Sequence, residues 1–428
     1  MSERKDITRR RVIKSGAAAA AAAGATPYFF TRAFADGHGY MNAPKGDSVT
    51  FGFNVPQTGA YADEGADELR AYEMAVEHIN AGGGGMLDTF SSKELKGGVN
   101  GKTVKFVTGD TQTKSDAARA SAKRMIENDG AIMITGGSSS GVAIAVQGLC
   151  QEAGVIFMSG LTHSNDTTGK DKRANGFRHF FNTEMTGAAL GPVLHNNYGS
   201  DRKVYHLTAD YTWGYSQEGS MIKYTKPYNW ETVAAVKTPV GAGDFSQFIT
   251  PILSSGADTL VLNHYGKDFT IVVPLYSRLM AQGAGDNVKG IFGSTNWHWS
   301  LQDEGSKAFV KAFGTKYGFP PSQAAHTTYC QAILYADACQ RAGTFKPSEV
   351  GKALEDFEFD GLGNGKVLYR GEDHQCFKDV LVVKGKENPT SEFDLLEVVE
   401  VTPAAQVTYP PDHPMFAGGQ LGSCNPGA

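Results

Sequence analysis

Ile132-Met133-Ile134-Thr135-Gly136-Gly137-Ser138-Ser139-Ser140-Gly141 is the stretch on which the fold turns. An apolar triplet runs into two glycines and three serines. From Gly141 to Glu152 apolar residues then recur at helical spacing. Val155-Ile156-Phe157-Met158 follows as a second apolar run and leaves through Ser159-Gly160-Leu161-Thr162-His163-Ser164. Strand, turn, helix and strand in that order form a βαβ unit, whose two strands lie parallel under a covering helix.

The same alternation extends outward in both directions. Upstream, Val49 to Phe53 reads as a strand, Gly65 to Asn80 as a helix, Val104 to Val107 as a strand, and Ala117 to Ile126 as part of a helix. Gly82 to Gly98 reads as a long inserted loop. Downstream, a second series has strands at Val204–Leu207, Thr259–Leu262 and Gly290–Phe292, with helices near Gln217–Tyr224, Phe245–Leu253 and Phe269–Ala281. Two long helices follow, near Ser306–Tyr317 and Ala324–Ala342. Lys366–Tyr369, Asp379–Val383 and Leu395–Val401 read as strands joined by turns, and the Pro- and Gly-rich residues from Pro403 to Ala428 read as a wrapping tail. The prediction is an α/β protein of two similar open parallel-sheet lobes.

Composition supports this. The chain has 428 residues, 41% hydrophobic and 20% charged, enough for large cores and too apolar for general disorder. The net charge is −5, and no basic cluster lies outside the N-terminus, which disfavours nucleic-acid binding. Residues 1–35 read as an export signal: Arg9-Arg10-Arg11-Val12-Ile13-Lys14, an alanine run from Ala17 to Ala23, and Ala33-Phe34-Ala35 as a cleavage site. The pattern is similar to a bacterial twin-arginine signal. Its removal takes away seven basic and two acidic groups and leaves a charge of about −10. No cysteine follows the cleavage site and no later apolar run reaches membrane length, so a periplasmic or secreted soluble protein is expected. The five cysteines, Cys150, Cys330, Cys339, Cys376 and Cys424, include no CxxC pair and imply no zinc site. Cys376 and Cys424 could close the tail in an oxidising compartment.

In open parallel sheets ligands bind beyond the carboxyl ends of strands. The segments there are Asn54 to Tyr61, Thr135 to Gly141, Ser159 to Ser164, Thr208 to Tyr215, Asn263 to Gly266 and Gly293 to Trp299. They offer small hydroxyls, backbone amides and aromatics, a set that suits a small polar solute with an apolar part.

The chain resembles the type I periplasmic solute-binding proteins of ABC importers, the class that takes leucine, isoleucine, valine, urea and amides. The resemblance rests on Pro56-Gln57-Thr58-Gly59-Ala60-Tyr61, Ser138-Ser139-Ser140-Gly141, Gly154 to Ser159, Asp210-Tyr211-Thr212-Trp213-Gly214, Gly243-Asp244-Phe245-Ser246, Tyr335-Ala336-Asp337-Ala338, Phe359-Asp360-Gly361-Leu362 and Asp373-His374-Gln375, in order, across residues 48–400. It implies two lobes with three crossovers, near Phe180, Trp297 and Phe357. Lobe I would then hold 48–180 and 298–357, lobe II 181–297 and 358–400, with 401–428 as the tail. It implies a ligand-binding set of Tyr61, Ser138, Ser139, Ser140, Gly160, Leu161, Thr162, His163, Trp213, Tyr265 and Thr295. It also implies a monomer that needs no cofactor and delivers its solute to a permease. One departure stands out. Members that hold α-amino acids often carry a carboxylate in the last loop, and Gly293 to Trp297 has none. A zwitterion would leave its ammonium unpaired there unless Asp210 or Glu64 reaches in.

Two other functions fit parts of the sequence. Gly137-Ser138-Ser139-Ser140-Gly141 also matches GxSxG between a strand and a helix, which would make Ser139 the nucleophile of an exported hydrolase with His374 downstream. A ligand-sensing receptor domain shares the two-lobe pattern. Glu372-Asp373-His374 reads as a structural turn rather than a metal site.

Overall fold

The computed structural model describes residues 39–242, 244–264, 272–414, 416 and 418–424. The export signal and Tyr265 lie outside them.

Lobe I is built on a five-stranded, all-parallel sheet in the order β2-β1-β3-β4-β5. Its strands are β1 Ser48–Val55, β2 Thr103–Asp110, β3 Ala131–Gly136, β4 Ile156–Ser159 and β5 Gly176–Arg178. Three helices connect them: α1 Ala62–Ala81, α2 Ser115–Glu127 and α3 Ser140–Ala153. Helices α1 and α3 both end on a left-handed glycine, Gly82 and Gly154. Gly136 ends β3 at φ 114°, and a Cβ there would lie 1.9 Å from Asn54 O, so only glycine lets β3 turn beside β1. The Gly82–Gly98 insertion is anchored by buried Met86, Leu87, Phe90 and Leu95.

Lobe II carries helices α4 Thr183–Tyr198, α5 Thr212–Thr225, α6 Ser246–Ser254 and α7 Arg278–Ala284. Its seven-stranded sheet runs β15-β14-β10-β9-β8-β6-β7, from β6 Lys203–Ala209, β7 Glu231–Thr238, β8 Thr259–Asn263, β9 Val272–Leu275, β10 Phe292–Thr295, β14 Val380–Gly385 and β15 Leu396–Thr402. Only β14 runs against the other strands, pairing antiparallel with β10 on one side and β15 on the other. The single helix expected over Phe269–Ala281 is overturned where it is described. Val272–Leu275 is a strand, and the helix starts at Arg278, capped by Ser277 Oγ accepting from Met280 N. Pro274 falls where the β9–β10 register shifts, the one kind of place a central strand tolerates proline.

The chain then returns to lobe I for α8 Glu304–Tyr317, α9 Gln323–Ala342 and α10 Pro347–Leu354. Helix α9 is buried over most of its length and shares a core with Phe51, Phe53, Met133 and Met158. A three-stranded antiparallel sheet, β11 Phe357–Phe359, β12 Val367–Tyr369 and β13 Cys376–Phe377, precedes β14. Phe359, Val367, Tyr369 and Cys376 pack in the lobe I core, whereas Phe377 and Val380 pack in the lobe II core. The apolar side chains thus pass from the one core to the other between Cys376 and Phe377.

The tail wraps both lobes. After a short helix, α11 Ala404–Val407, Tyr409 and Phe416 stack at 4.0 Å within the lobe II core. Further on, Leu421 O accepts from Ala174 N and Ser423 O from Gln151 Nε2 on lobe I. All five cysteines are free. The Cys376–Cys424 bridge considered above is absent because Cys376 faces the lobe I core while Cys424 Sγ donates to Ala174 O at 3.2 Å. No helix of the described residues is long and apolar enough to cross a membrane.

Candidate ligand cleft

One face of α1 borders the strand ends of lobe I. Residues three or four apart share a helix face, which aligns Glu64, Glu68 and Tyr72 below the N-cap residue Tyr61. Glu68 is fully buried, and its Oε1 accepts the Ser138 hydroxyl. Tyr72 contacts Thr135 Oγ1 and donates to Gln331 Oε1 at 2.7 Å, and Gln331 Nε2 donates to Ser159 O. Helices α1 and α9 thereby fix the ends of β3 and β4.

Ser138 is buried and Ser139 half-buried, Ser139 standing at the N-cap of α3 without a side-chain capping bond. Ser140 Oγ accepts from the amides of His163 (3.2 Å) and Ser164 (3.1 Å), so it ties the two loops together. Ser140→Ala leaves both buried amides without that acceptor, at a cost of about 1–3 kcal/mol. Urea unfolding at constant m-value checks this expected loss. Gly160 donates to Gly136 O at 2.7 Å, and a Cβ there would lie 2.8 Å from the same oxygen. Leu161 packs with Phe180, Phe181 and Trp213, and Thr162 Oγ1 meets Thr167 Oγ1 at 2.7 Å. Arg178, fully buried, binds Ser164 O, Thr168 Oγ1 and Gln375 Oε1, and so holds this loop from beneath.

Trp213, also fully buried, reaches across from α5 and donates its Nε1–H to His163 Nδ1 at 2.9 Å. An indole N–H can only donate, so a neutral His163 carries its proton on Nε2. Burial, aided by the Arg178 charge, holds His163 neutral, well below the usual imidazole range. Its Nε2–H then donates to Thr186 Oγ1 (3.0 Å), Thr186 to Ser294 Oγ (3.1 Å), and Ser294 to Pro274 O at 2.5 Å. One ordered chain of hydrogen bonds runs from α5 through the lobe I loop into α4, β10 and β9. Thr295 is spent on Gln323 Oε1 (2.8 Å) and Trp297 O (3.1 Å) at the second crossover.

The lobes stand closed. Tyr61 and Tyr211 meet hydroxyl to hydroxyl at 3.1 Å. Asp67 of α1 takes Arg278 of α7 at 2.9 Å and Arg70 at 2.9 Å, with Arg278 near the rings of Phe319 (5.8 Å) and Phe393 (5.5 Å). A cavity of about 420 Å³ is lined by this pair along the lip, and a second of about 250 Å³ shares Asp63 and Leu279 with it.

Residues 48–390 match the family model described as "Periplasmic binding protein". The chain belongs to that family. A Leu/Ile/Val-binding protein homologue of Brucella abortus is 24% identical over 348 residues, covering 74% of this chain and 83% of its own. A periplasmic binding protein of Burkholderia mallei superposes with a TM-score of 0.77 at 22% identity, covering 87% of this chain and 99% of that one. A Rhodopseudomonas palustris solute-binding protein solved with benzoate gives a TM-score of 0.71 at 19% identity, covering 83% and 97%.

As in any periplasmic binding protein, the family fold is that of a binder rather than an enzyme, and the geometry counters the hydrolase alternative. Ser139 has ordinary extended backbone (φ −79°, ψ 131°), without the strain of a nucleophile elbow. His374 is bound instead to Gly176 O (3.0 Å) and Glu355 (3.3 Å), stacked on Phe177. Asp373 pairs with Arg370, and no metal-holding cluster occurs among the described residues. Asp210 is exposed and accepts from Tyr215 OH, so it does not serve the cleft. Sequence reasoning missed Glu68 and Thr186. A glutamate one turn from another reads as solvated helix surface, and the only hint was its spacing from Tyr61 and Tyr72.

Proposed function

We propose that this periplasmic binding protein is the solute-capturing subunit of an ABC importer, exported by its N-terminal signal and delivering a small carboxylate or acyl compound to a membrane permease. The observation that carries the reading is the closed cleft. Loops at the carboxyl ends of strands in both lobes meet there, Tyr61 against Tyr211 and Trp213 against His163; on this reading the α3 N-terminus, Ser138 and Ser139 form one wall and Trp213 the other. Tyr61, Gly160, Leu161, Thr162, His163, Tyr265 and Thr295 complete the proposed lining. Helix N-terminal amides and hydroxyls favour an anionic or carbonyl oxygen, and an aromatic wall favours an apolar remainder. One relative is named a Leu/Ile/Val-binding protein homologue and one structural neighbour was solved with benzoate, and each of those solutes joins a carboxylate to an apolar part.

Native mass spectrometry for co-purified solute, followed by a thermal-shift panel, tests the reading. A true ligand at 100 times its Kd is expected to stabilise the fold by about 2.7 kcal/mol without being turned over. Ester or amide hydrolysis with fluorophosphonate labelling of Ser139 would overturn it.

A further inference from the structure

We propose that Glu68 is the specificity-determining group of the cleft, its carboxyl donating a hydrogen bond to a carboxylate or carbonyl oxygen of the solute. The inference rests on the capture function above. Glu68 has no exposed surface. Its Oε1 is taken by the Ser138 hydroxyl, while Oε2 is buried with no partner among the described residues. A buried carboxyl oxygen left open beside the serine loop is complementary to something absent from the chain itself.

The charged groups around it decide which partner fits. Glu64 and Asp67 flank Glu68 on α1, and both oppose a further negative charge. The cations bound to this stretch of α1, Arg70 and Arg278, are spent on Asp67. The Tyr72 phenol lies one turn further along α1, Ser138 meets Glu68 from the loop after β3, and on α9 the Thr328 hydroxyl meets Glu68 O while Gln331 takes the Tyr72 hydroxyl. Burial, reinforced by Glu64 and Asp67 against the Ser138 bond, pushes the carboxyl up to about 8. At neutral pH the group is a carboxylic acid, so Oε2 can donate. A solute carboxylate or carbonyl oxygen accepts that proton's hydrogen bond, and the amides of α3 add to the same end. An ammonium demands the opposite, an ionised Glu68 and a released proton.

The test is calorimetry from pH 6.5 to 9.5 with leucine, 4-methylpentanoate, its amide and benzoate, in two buffers of different ionisation enthalpy. The expected result is binding of an acid or amide, the acid weakening about tenfold per pH unit above the Glu68 titration. Glu68→Gln, which keeps a donor but cannot ionise, flattens that profile, and Glu68→Ala binds more weakly than Glu68→Gln at each pH. Leucine alone binding, with proton release and with loss of binding in Glu68→Gln, overturns the proposal, as does a flat wild-type profile for the acid.

Stability supplies a readout independent of any solute. The folded-state value lies above the ordinary 4.5, so the stabilisation from Glu68 is full below about 4.5 and is lost as pH rises to about 8. The wild-type melting temperature is therefore expected to fall relative to Glu68→Gln across that window. Equal slopes would mean that Glu68 is ionised in the fold and overturn the proposal. A normal stability difference with no solute bound from the wider panel would instead count against solute capture itself.

Discussion

Asp67→Asn is expected to weaken solute binding by about two orders of magnitude or more while moving the melting temperature of the unliganded protein little. Removing one partner of a buried ion pair costs about 3–5 kcal/mol, because the remaining charge stays desolvated. Here the remaining charge is Arg278, whose side chain is 4% exposed where α7 of one lobe meets α1 of the other. Opening lets that guanidinium hydrate, so the cost falls on closure, and hence on affinity, rather than on either lobe's own fold. Arg70 shares Asp67 within lobe I and does not reach that balance. Calorimetry and the radius of gyration from solution scattering check the result: weaker binding and a larger radius at saturating solute of the wild type. Unchanged affinity with a lowered melting temperature would make the pair a matter of folding alone.

Trp213→Ala is expected to cost both binding and fold, with binding the larger loss. Truncating a buried tryptophan costs about 3–5 kcal/mol in a core, and an aromatic at a binding centre can be worth about 2 kcal/mol or more. Trp213 packs with Leu161, Phe180, Phe181 and Met185, some of which belong to the opposite wall, so part of its packing exists only when the lobes meet. Its N–H also settles the His163 tautomer. Trp213→Phe separates the effects, since it restores most of the volume and leaves His163 Nδ1 unpaired. Comparable affinity in Trp213→Phe and wild type would assign the role to packing alone.

Much of the architecture was legible because long apolar runs and 3.6-residue spacing carry it. The Val49–Phe53, Ile132–Ile134 and Val204–Leu207 strands and the two long helices after Trp297 fall where they were read. No sequence pattern announces the helix Thr183–Tyr198. It contains Pro192 and two glycines, and Gly187 and Gly191 are there to let Tyr224 of α5 approach: a Cβ on either would meet that residue at 2.6 and 2.8 Å. Such a helix is held by what packs against it rather than by its own propensity. The strand Val272–Leu275 reads as helix in the sequence because β-branched residues beside a leucine and a tyrosine satisfy either period over so short a span. In the cleft, the strand-end loops were found by topology. The partners that occupy Ser140, His163 and Thr295 come from elements far along the chain, which no local pattern encodes.

The helix Gln323–Ala342 has a consequence in time. Its Tyr335 meets Phe51 at 5.2 Å and reaches Ile132 O, 203 residues earlier. The first lobe to be synthesised therefore lacks its central helix until most of the chain has been made, and its parallel sheet waits with an uncovered face. Folds dominated by such distant contacts form slowly and expose apolar surface meanwhile. On the export proposed above, a chain of this build gains from completing itself where chaperones are present, before it leaves the compartment of its synthesis.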